Sequence, residues 1–245
     1  MMTLLQAIIL GLVQGLTEFL PISSTAHLVL AQNLLGFTEP PVLFDVILHL
    51  ATALATVIIL WPEIKAINLK LLKFILIASL PTVILGLWLK QWDQLIFGSL
   101  LFSAITLILN GGLLLLPQYF KAKLAQLNNF KSFNIGVAQG IAILPGISRS
   151  GATIVAGLLQ GISPADAYNF SFLISLPAIL GAQLLVVKDL PALSFSWNLN
   201  YVAGFLIAFI FGLLSLWWLK KLISKGRLTG FAIYCLILGV LMLFL

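Results

Sequence analysis

A chain of 245 residues that is 61% hydrophobic and only 8% charged is excluded from the soluble domains, where charged residues run at about 25%. A formal charge of +6 would suggest nucleic acid in a soluble protein. In a chain this apolar, loop lysines facing a cytoplasm account for it, and no nucleic-acid partner is expected. A single cysteine, Cys235, permits no intrachain disulfide. The opening Met1-Met2-Thr3-Leu4-Leu5-Gln6 lacks the basic region of a cleaved signal peptide.

Taken in order, the chain offers six apolar runs of the length that crosses a bilayer, about 20 residues each. They are expected at 44–61, 74–90, 95–117, 165–187, 199–219 and 228–245. Two other segments, 3–36 and 131–160, are interrupted near their middles by proline and small polar residues, Pro21-Ile22-Ser23-Ser24 and Pro145-Gly146-Ile147-Ser148. Each reads either as one kinked span or as a re-entrant hairpin of two half-helices. Broken helices at membrane depth are tolerated where they line a cavity. The expected fold is one all-α transmembrane domain over 1–245, with six full spans and ten helical segments in all.

The interrupted segments are copies of one design. Gln14-Gly15 matches Gln139-Gly140, Leu20-Pro21 matches Leu144-Pro145, and Ser23 matches Ser148. The outer matches (14 to 139, 23 to 148) share an offset of 125 positions, with a shift of one residue around the proline. Ser24 then falls where Arg149 does. Each copy heads a repeat of one interrupted segment and three spans, about 1–117 and about 131–245.

Loop charge separates the two readings of the second copy. If 131–160 returns to its own side, Lys65, Lys70, Lys73, Lys121, Lys123, Lys131, Lys220, Lys221, Lys225 and Arg227 share one face, against Lys90 and Lys188. If it spans, the division is seven against five. The positive-inside rule prefers the first. The first copy has no flanking lysine and follows by the repeat alone. Such a hairpin with three spans turns the second repeat upside down, the plan of many transporters, whose sites lie where broken helices meet. The basic face is then cytoplasmic, and both termini lie outside with the mouth of the first hairpin.

Polar groups are costly in hydrocarbon, so an intramembrane cluster of them is a site by default. The first break carries Gln14, Glu18, Ser23, Ser24, Thr25 and His27. Gln14 and Glu18 share a helix face. Either serine is placed to cap the half-helix that follows. His27 shares their face, and a serine beside a histidine is the nucleophile-and-base pairing of covalent catalysis. A carboxylate here, Glu18, suits a hard divalent cation such as Mg²⁺ or Ca²⁺ bound through oxygen. The second break adds Arg149, whose planar fork matches phosphate, among Gly146, Ser148, Ser150, Gly151 and Thr153. The start of the half-helix near Ser150 is a further anion site. Together these read as phosphoryl chemistry on a lipid head group.

The stretches Gly15-Leu16-Thr17-Glu18-Phe19-Leu20-Pro21-Ile22-Ser23-Ser24-Thr25-Ala26-His27 and Leu144-Pro145-Gly146-Ile147-Ser148-Arg149-Ser150-Gly151-Ala152-Thr153 resemble the signature regions of the bacterial undecaprenyl pyrophosphate phosphatases of the bacitracin-resistance type. The likeness continues through Phe44-Asp45 and Phe170-Ser171-Phe172-Leu173-Ile174-Ser175-Leu176-Pro177 and covers essentially the whole chain. It implies removal of the terminal phosphate of a polyprenyl pyrophosphate lipid in the bacterial plasma membrane. That reaction recycles the carrier of cell-wall synthesis and lowers bacitracin sensitivity. It further implies Ser24 as nucleophile with Ser23 and Thr25 beside it, Glu18 as essential acid and metal ligand, His27 as acid–base group and Arg149 as phosphate binder. In this family's pattern Gln14 stands where many members have glutamate, Ala26 replaces a common glycine, and Asn169 stands where glutamate is expected.

A transporter or flippase of polyprenyl phosphate or another anion is the rival, favoured by the repeat; a Ser-His-Glu cluster favours chemistry, since transport needs no nucleophile. Metal-bound water is the alternative to attack by Ser24. Asp45 and His49, four apart, divide between supporting the site and a structural pairing. Gln139 reads as a structural mirror of Gln14. Trp61, Trp88, Trp92, Trp197, Trp217 and Trp218 read as interfacial belts, and Gly111-Gly112 and Gly181-Ala182 as helix-packing sites. Nothing in the sequence addresses oligomeric state.

Overall fold

The computed structural model describes residues 2–38, 41–92, 96, 99–120, 123–189, 198–223 and 228–245. Among them the regular structure is all helical. Helix α1 (Leu4–Thr17) starts from a reciprocal capping box between Thr3 and Gln6, in which each side chain satisfies a backbone N–H of the other. It ends at the turn containing Pro21, and α2 (Ser24–Leu34) begins from Ser23 as N-cap. Then follow α3 (Val42–Ile59), a short α4 (Trp61–Lys65), α5 (Leu69–Leu89) and α6 (Leu100–Tyr119). The second half contains α7 (Asn129–Ile141), α8 (Arg149–Leu159), α9 (Pro164–Asp189), α10 (Leu199–Ile223) and α11 (Thr229–Met242). Asn68, Ser99, Asn128 and Ser148 cap α5, α6, α7 and α8 through their side-chain oxygens, which explains where those helices begin.

Five helices (α3, α5 extended to Trp92, α6, α9 and α10) are long and apolar enough to cross a membrane, so the chain is a multi-pass membrane protein. The sixth expected span is shorter than the sequence implied. Residues 228–245 form helix over Thr229–Met242 only, 14 residues, or about 21 Å at 1.5 Å per residue. The interrupted segments resolve into hairpins: α1 packs on α2, and α7 packs on α8. Single half-helices of 14, 11, 13 and 11 residues fall short of the hydrocarbon thickness of about 30 Å.

Packing pairs repeat between the halves. α1 lies along α10 and α7 lies along α5, so each hairpin is clasped by the second long helix of the other half. α6 packs on α11, and α3 on α9. Small residues permit these approaches. A Cβ on Gly11 would lie 2.6 Å from the Gly204 carbonyl oxygen, and one on Gly15 2.7 Å from that of Ala208. Of the glycines expected at helix contacts, Gly111 packs against Ala232 and Leu236, whereas a Cβ on Gly112 or Gly181 would meet no neighbouring helix within 4 Å. The sequence shows a small residue but not which way its face turns. Trp61, Trp88, Trp92, Trp217 and Trp218 are about half exposed; Trp197 lies outside the described residues.

Candidate active site

The two breaks meet in the interior. At the first, Ser23 has φ 65° and ψ 97°, a conformation costly for a residue with a Cβ and typical of functional turns. Its hydroxyl accepts from the Gly146 N–H at 3.1 Å, so one tip caps the other. Gly146 has φ 101°; a Cβ there would overlap the Thr106 hydroxyl, and that hydroxyl donates to the Pro145 carbonyl. Glycine is therefore required both by its backbone and by its surroundings. Ser150 donates to the Phe19 carbonyl at 2.8 Å and Ser148 to that of Leu20 at 3.4 Å. Asn110, fully buried on α6, donates to the Pro21 carbonyl at 3.0 Å and accepts from the Ser148 N–H at 2.9 Å.

On this scaffold the reactive groups converge on one carboxylate. Ser24 donates its hydroxyl proton to Glu18 Oε2 at 2.6 Å. Gln14 donates from Nε2 to the same oxygen at 3.1 Å and reaches the Thr52 hydroxyl at 3.4 Å. Arg149 Nη2 donates to Glu18 Oε1 at 2.8 Å. The guanidinium carbon stands 5.7 Å from the centre of the Phe172 ring, a cation–π distance, and Phe172 meets Phe19 edge-on at 5.7 Å. His49 Nε2 lies 3.9 Å from Glu18 Oε2, while its Nδ1 is 2.8 Å from the Asp45 carbonyl. Helices α2 and α8 both begin here, so two positive dipole ends address the same space.

Several expectations are rearranged. Of the two serines, Ser23 is the cap and Ser24 faces Glu18. The expected Ser–His pair is replaced: His27 Nδ1 is 2.7 Å from the Ser23 carbonyl, and Nε2 is 2.7 Å from the Tyr234 hydroxyl, with the rings stacked at 5.6 Å. The Asp45 carboxylate receives Gln32 Nε2 at 3.0 Å, and the Asp45–His49 pairing runs through the Asp45 backbone rather than its side chain. Ser148, Ser150 and Gly151 staple the tips, Gly151 being wedged between Leu114 and Pro21. Thr153 bonds to the Arg149 carbonyl at 2.8 Å and to Ser171 at 2.5 Å, which steadies the first turn of α8. Thr25, beside Ser24 in α2, is half-buried. Gln139 reaches Thr82 at 3.1 Å, as Gln14 reaches Thr52.

Sequence reasoning missed Asn110, Tyr234, Thr52 and Thr106. Asn110 carried a usable signal, a carboxamide within the apolar run Leu107-Ile108-Leu109-Asn110-Gly111. Tyr234 carried none, because an interfacial tyrosine is unremarkable in a membrane helix.

For a divalent cation the donor set is thin. Among the described residues no three His, Cys, Asp or Glu side chains cluster. Both Glu18 oxygens already accept hydrogen bonds, and Gln14 brings no charge. Within this cluster Gln14 Oε1 and Arg149 Nη1 are buried without hydrogen-bond partners, as is Oε1 of the mirror residue Gln139 outside it.

Fold and cluster define a class, a multi-pass membrane protein with a hydroxyl, a carboxylate and a guanidinium gathered where two broken helices meet. The family model described as Bacitracin resistance protein BacA matches residues 7–241. Relatives named Undecaprenyl-diphosphatase include one from Desulfosudis oleivorans, 43% identical over 262 residues, covering 96% of this chain and 96% of that protein. Another, from Bacteroides thetaiotaomicron, is 41% identical over 263 residues, covering 98% and 97%. A third, from Desulforapulum autotrophicum, is 38% identical over 268 residues, covering 98% and 97%. The chain belongs to the bacitracin resistance protein BacA family.

Proposed function

We propose that this chain hydrolyses undecaprenyl diphosphate to undecaprenyl phosphate and inorganic phosphate in the bacterial plasma membrane, recycling a cell-wall lipid carrier and lowering sensitivity to bacitracin. Membership of a family whose relatives carry that activity in their names supports the reaction. The observation that carries its placement is the Ser24–Glu18–Arg149 chain of hydrogen bonds.

In the proposed step Ser24 Oγ attacks the terminal phosphorus. The Oγ–P bond forms as the bond from phosphorus to the bridging oxygen breaks, and undecaprenyl phosphate leaves with the bonding pair. Glu18 Oε2, already 2.6 Å from Oγ, takes the serine proton. Water then attacks the phosphoserine: as the Oγ–P bond breaks, Glu18 returns its proton to Ser24 Oγ, and the water's proton leaves with the inorganic phosphate, which restores serine and carboxylate. Arg149 holds Glu18 in place through Nη2 and offers Nη1 to the phosphoryl oxygens. His27, held by the Ser23 carbonyl and Tyr234, is assigned the orientation of the strained turn, with any acid–base part exerted through it. A bound Mg²⁺ or Ca²⁺ would neutralise charge on the phosphoryl oxygens, and Glu18 and Gln14 are the residues to hold it.

The two halves are proposed to lie inverted in the membrane, with the termini and the mouth of the site on the outer side. The repeated clasp of each hairpin by the opposite half and the lysine distribution support this. The prenyl tail would remain in lipid. Transport of the intact lipid is the competing activity. The test is phosphate release from undecaprenyl diphosphate by purified protein in detergent, with Mg²⁺ or chelator. Release is expected; intact lipid after long incubation with well-folded protein would move the transporter to the front.

A further inference from the structure

Three features of the Glu18 carboxylate bear on how a divalent cation joins it. Among the described residues Glu18 is the one acid that Arg149, Ser24 and Gln14 share, and the guanidinium at 2.8 Å offsets its charge. A cation approaching the cluster is attracted to Glu18 and repelled by Arg149 at nearly the same range. Position 14, one turn before Glu18 on the same helix face, holds a neutral carboxamide, and its donor end faces the carboxylate at 3.1 Å. That contact fixes the amide's orientation, because the reverse would set oxygen against oxygen.

The third feature is the pair of unsatisfied atoms. Gln14 Oε1 is a buried acceptor without a partner, and Arg149 Nη1 a buried donor without one. Leaving both unmade in an apolar interior is costly. An anion alone would satisfy only Nη1, and a cation alone only Oε1. A ligand that brings anionic oxygens and a hard cation together would satisfy both.

We infer that Gln14 makes the cation site one that the substrate completes: the divalent cation enters as a complex with the lipid diphosphate, and the protein alone does not hold it. The inference rests on the diphosphate reading of the site. Such cations want about six to eight oxygen ligands, with affinity set by ligand charge. Here the chain supplies the remaining lone pair of Glu18 Oε1 and the carboxamide oxygen of Gln14, and the diphosphate supplies the charge. His49 Nε2, 3.9 Å from Glu18, adds no negative charge. Cation affinity and diphosphate affinity are then linked, each raising the other by the same factor.

Manganese binding to the full chain in detergent micelles, followed by the electron paramagnetic resonance signal of free Mn²⁺, tests this without turnover. The ligand is a non-hydrolysable prenyl methylenebisphosphonate. Wild-type protein alone should show no saturable site where Gln14→Glu shows one, and the bisphosphonate should tighten wild-type binding by about tenfold or more, the scale on which ligand charge tunes such sites. Glu18→Gln, which subtracts chelation by the bisphosphonate itself, should lose that gain. Wild-type binding equally tight without the bisphosphonate overturns the inference, as does a folded Gln14→Glu that gains nothing. A Glu18→Gln protein that keeps the full gain overturns the protein's share in the site. If Gln14→Glu does not fold, the wild-type and Glu18→Gln arms decide alone. Absence of phosphate release from the wild-type chain, beside a new manganese site in Gln14→Glu, would remove the diphosphatase reading and leave the limit set by Gln14 in place.

Discussion

Arg149 and Glu18, 131 positions apart in the chain, form a 2.8 Å ion pair in which both side chains are largely buried. The pair joins the first turn of α8 to the end of α1 and leaves Arg149 Nη1 unspent. Arg149→Ala should therefore do two kinds of damage. Loss of the partner of a buried carboxylate costs about 3–5 kcal/mol of stability, and loss of a preorganised donor costs about 10²–10³ in kcat. Arg149→Lys should recover stability better than turnover, because a point charge cannot serve Glu18 and a phosphate in two directions. Thermal unfolding in detergent and phosphate release measure the two separately.

Adjacent serines should behave differently. Ser24→Ala removes the attacking oxygen and should abolish release while the protein stays folded. Ser23→Ala removes a cap worth about 1 kcal/mol and should lower the melting temperature with much of the turnover kept. Release surviving in Ser24→Ala would transfer the attack to water.

Proton transfer offers a direct comparison. Ser24 donates to Glu18, and His27 is turned to Tyr234. Glu18→Gln should therefore reduce kcat more than His27→Gln, by about tenfold or more, within the usual worth of a general base. Tyr234→Phe should resemble a mild version of the histidine variant. Equal losses in Glu18→Gln and His27→Gln would give the histidine a direct part.

Asn110 holds two backbone groups from opposite tips, the Pro21 carbonyl and the Ser148 N–H. Asn110→Leu strands both, at about 1–3 kcal/mol each, and should loosen the tips against each other. The expected outcome is a lowered melting temperature with a raised KM for the lipid, measured against Asn134→Ala, which loses only a partly buried side-chain contact to Gln160.

Gly146→Ala meets both a positive φ and the Thr106 hydroxyl and should cost about 1–3 kcal/mol or more. Gly112→Ala, in open space, should be close to neutral or slightly stabilising in a helix. The pair of melting temperatures checks the tip geometry.

Much of this protein was legible in its sequence because the relevant physics is local. Apolar runs, their lengths and the proline breaks follow from what a bilayer permits along a single segment. The repeated Gln-Gly, Leu-Pro and Ser pattern likewise announced two broken helices, and costly polar groups in hydrocarbon marked Glu18, Ser24 and Arg149. The tertiary structure decided which atoms meet. Ser24 and His27 share a helix face by spacing, yet the strained turn at Ser23 aims one at Glu18 and leaves the other for Tyr234 on the last helix. Asn110 became a strut only because α6 packs against both α2 and α8. Hydrogen bonds are settled by tenths of an ångström, here between residues as many as 207 positions apart, and periodicity carries no information at that scale.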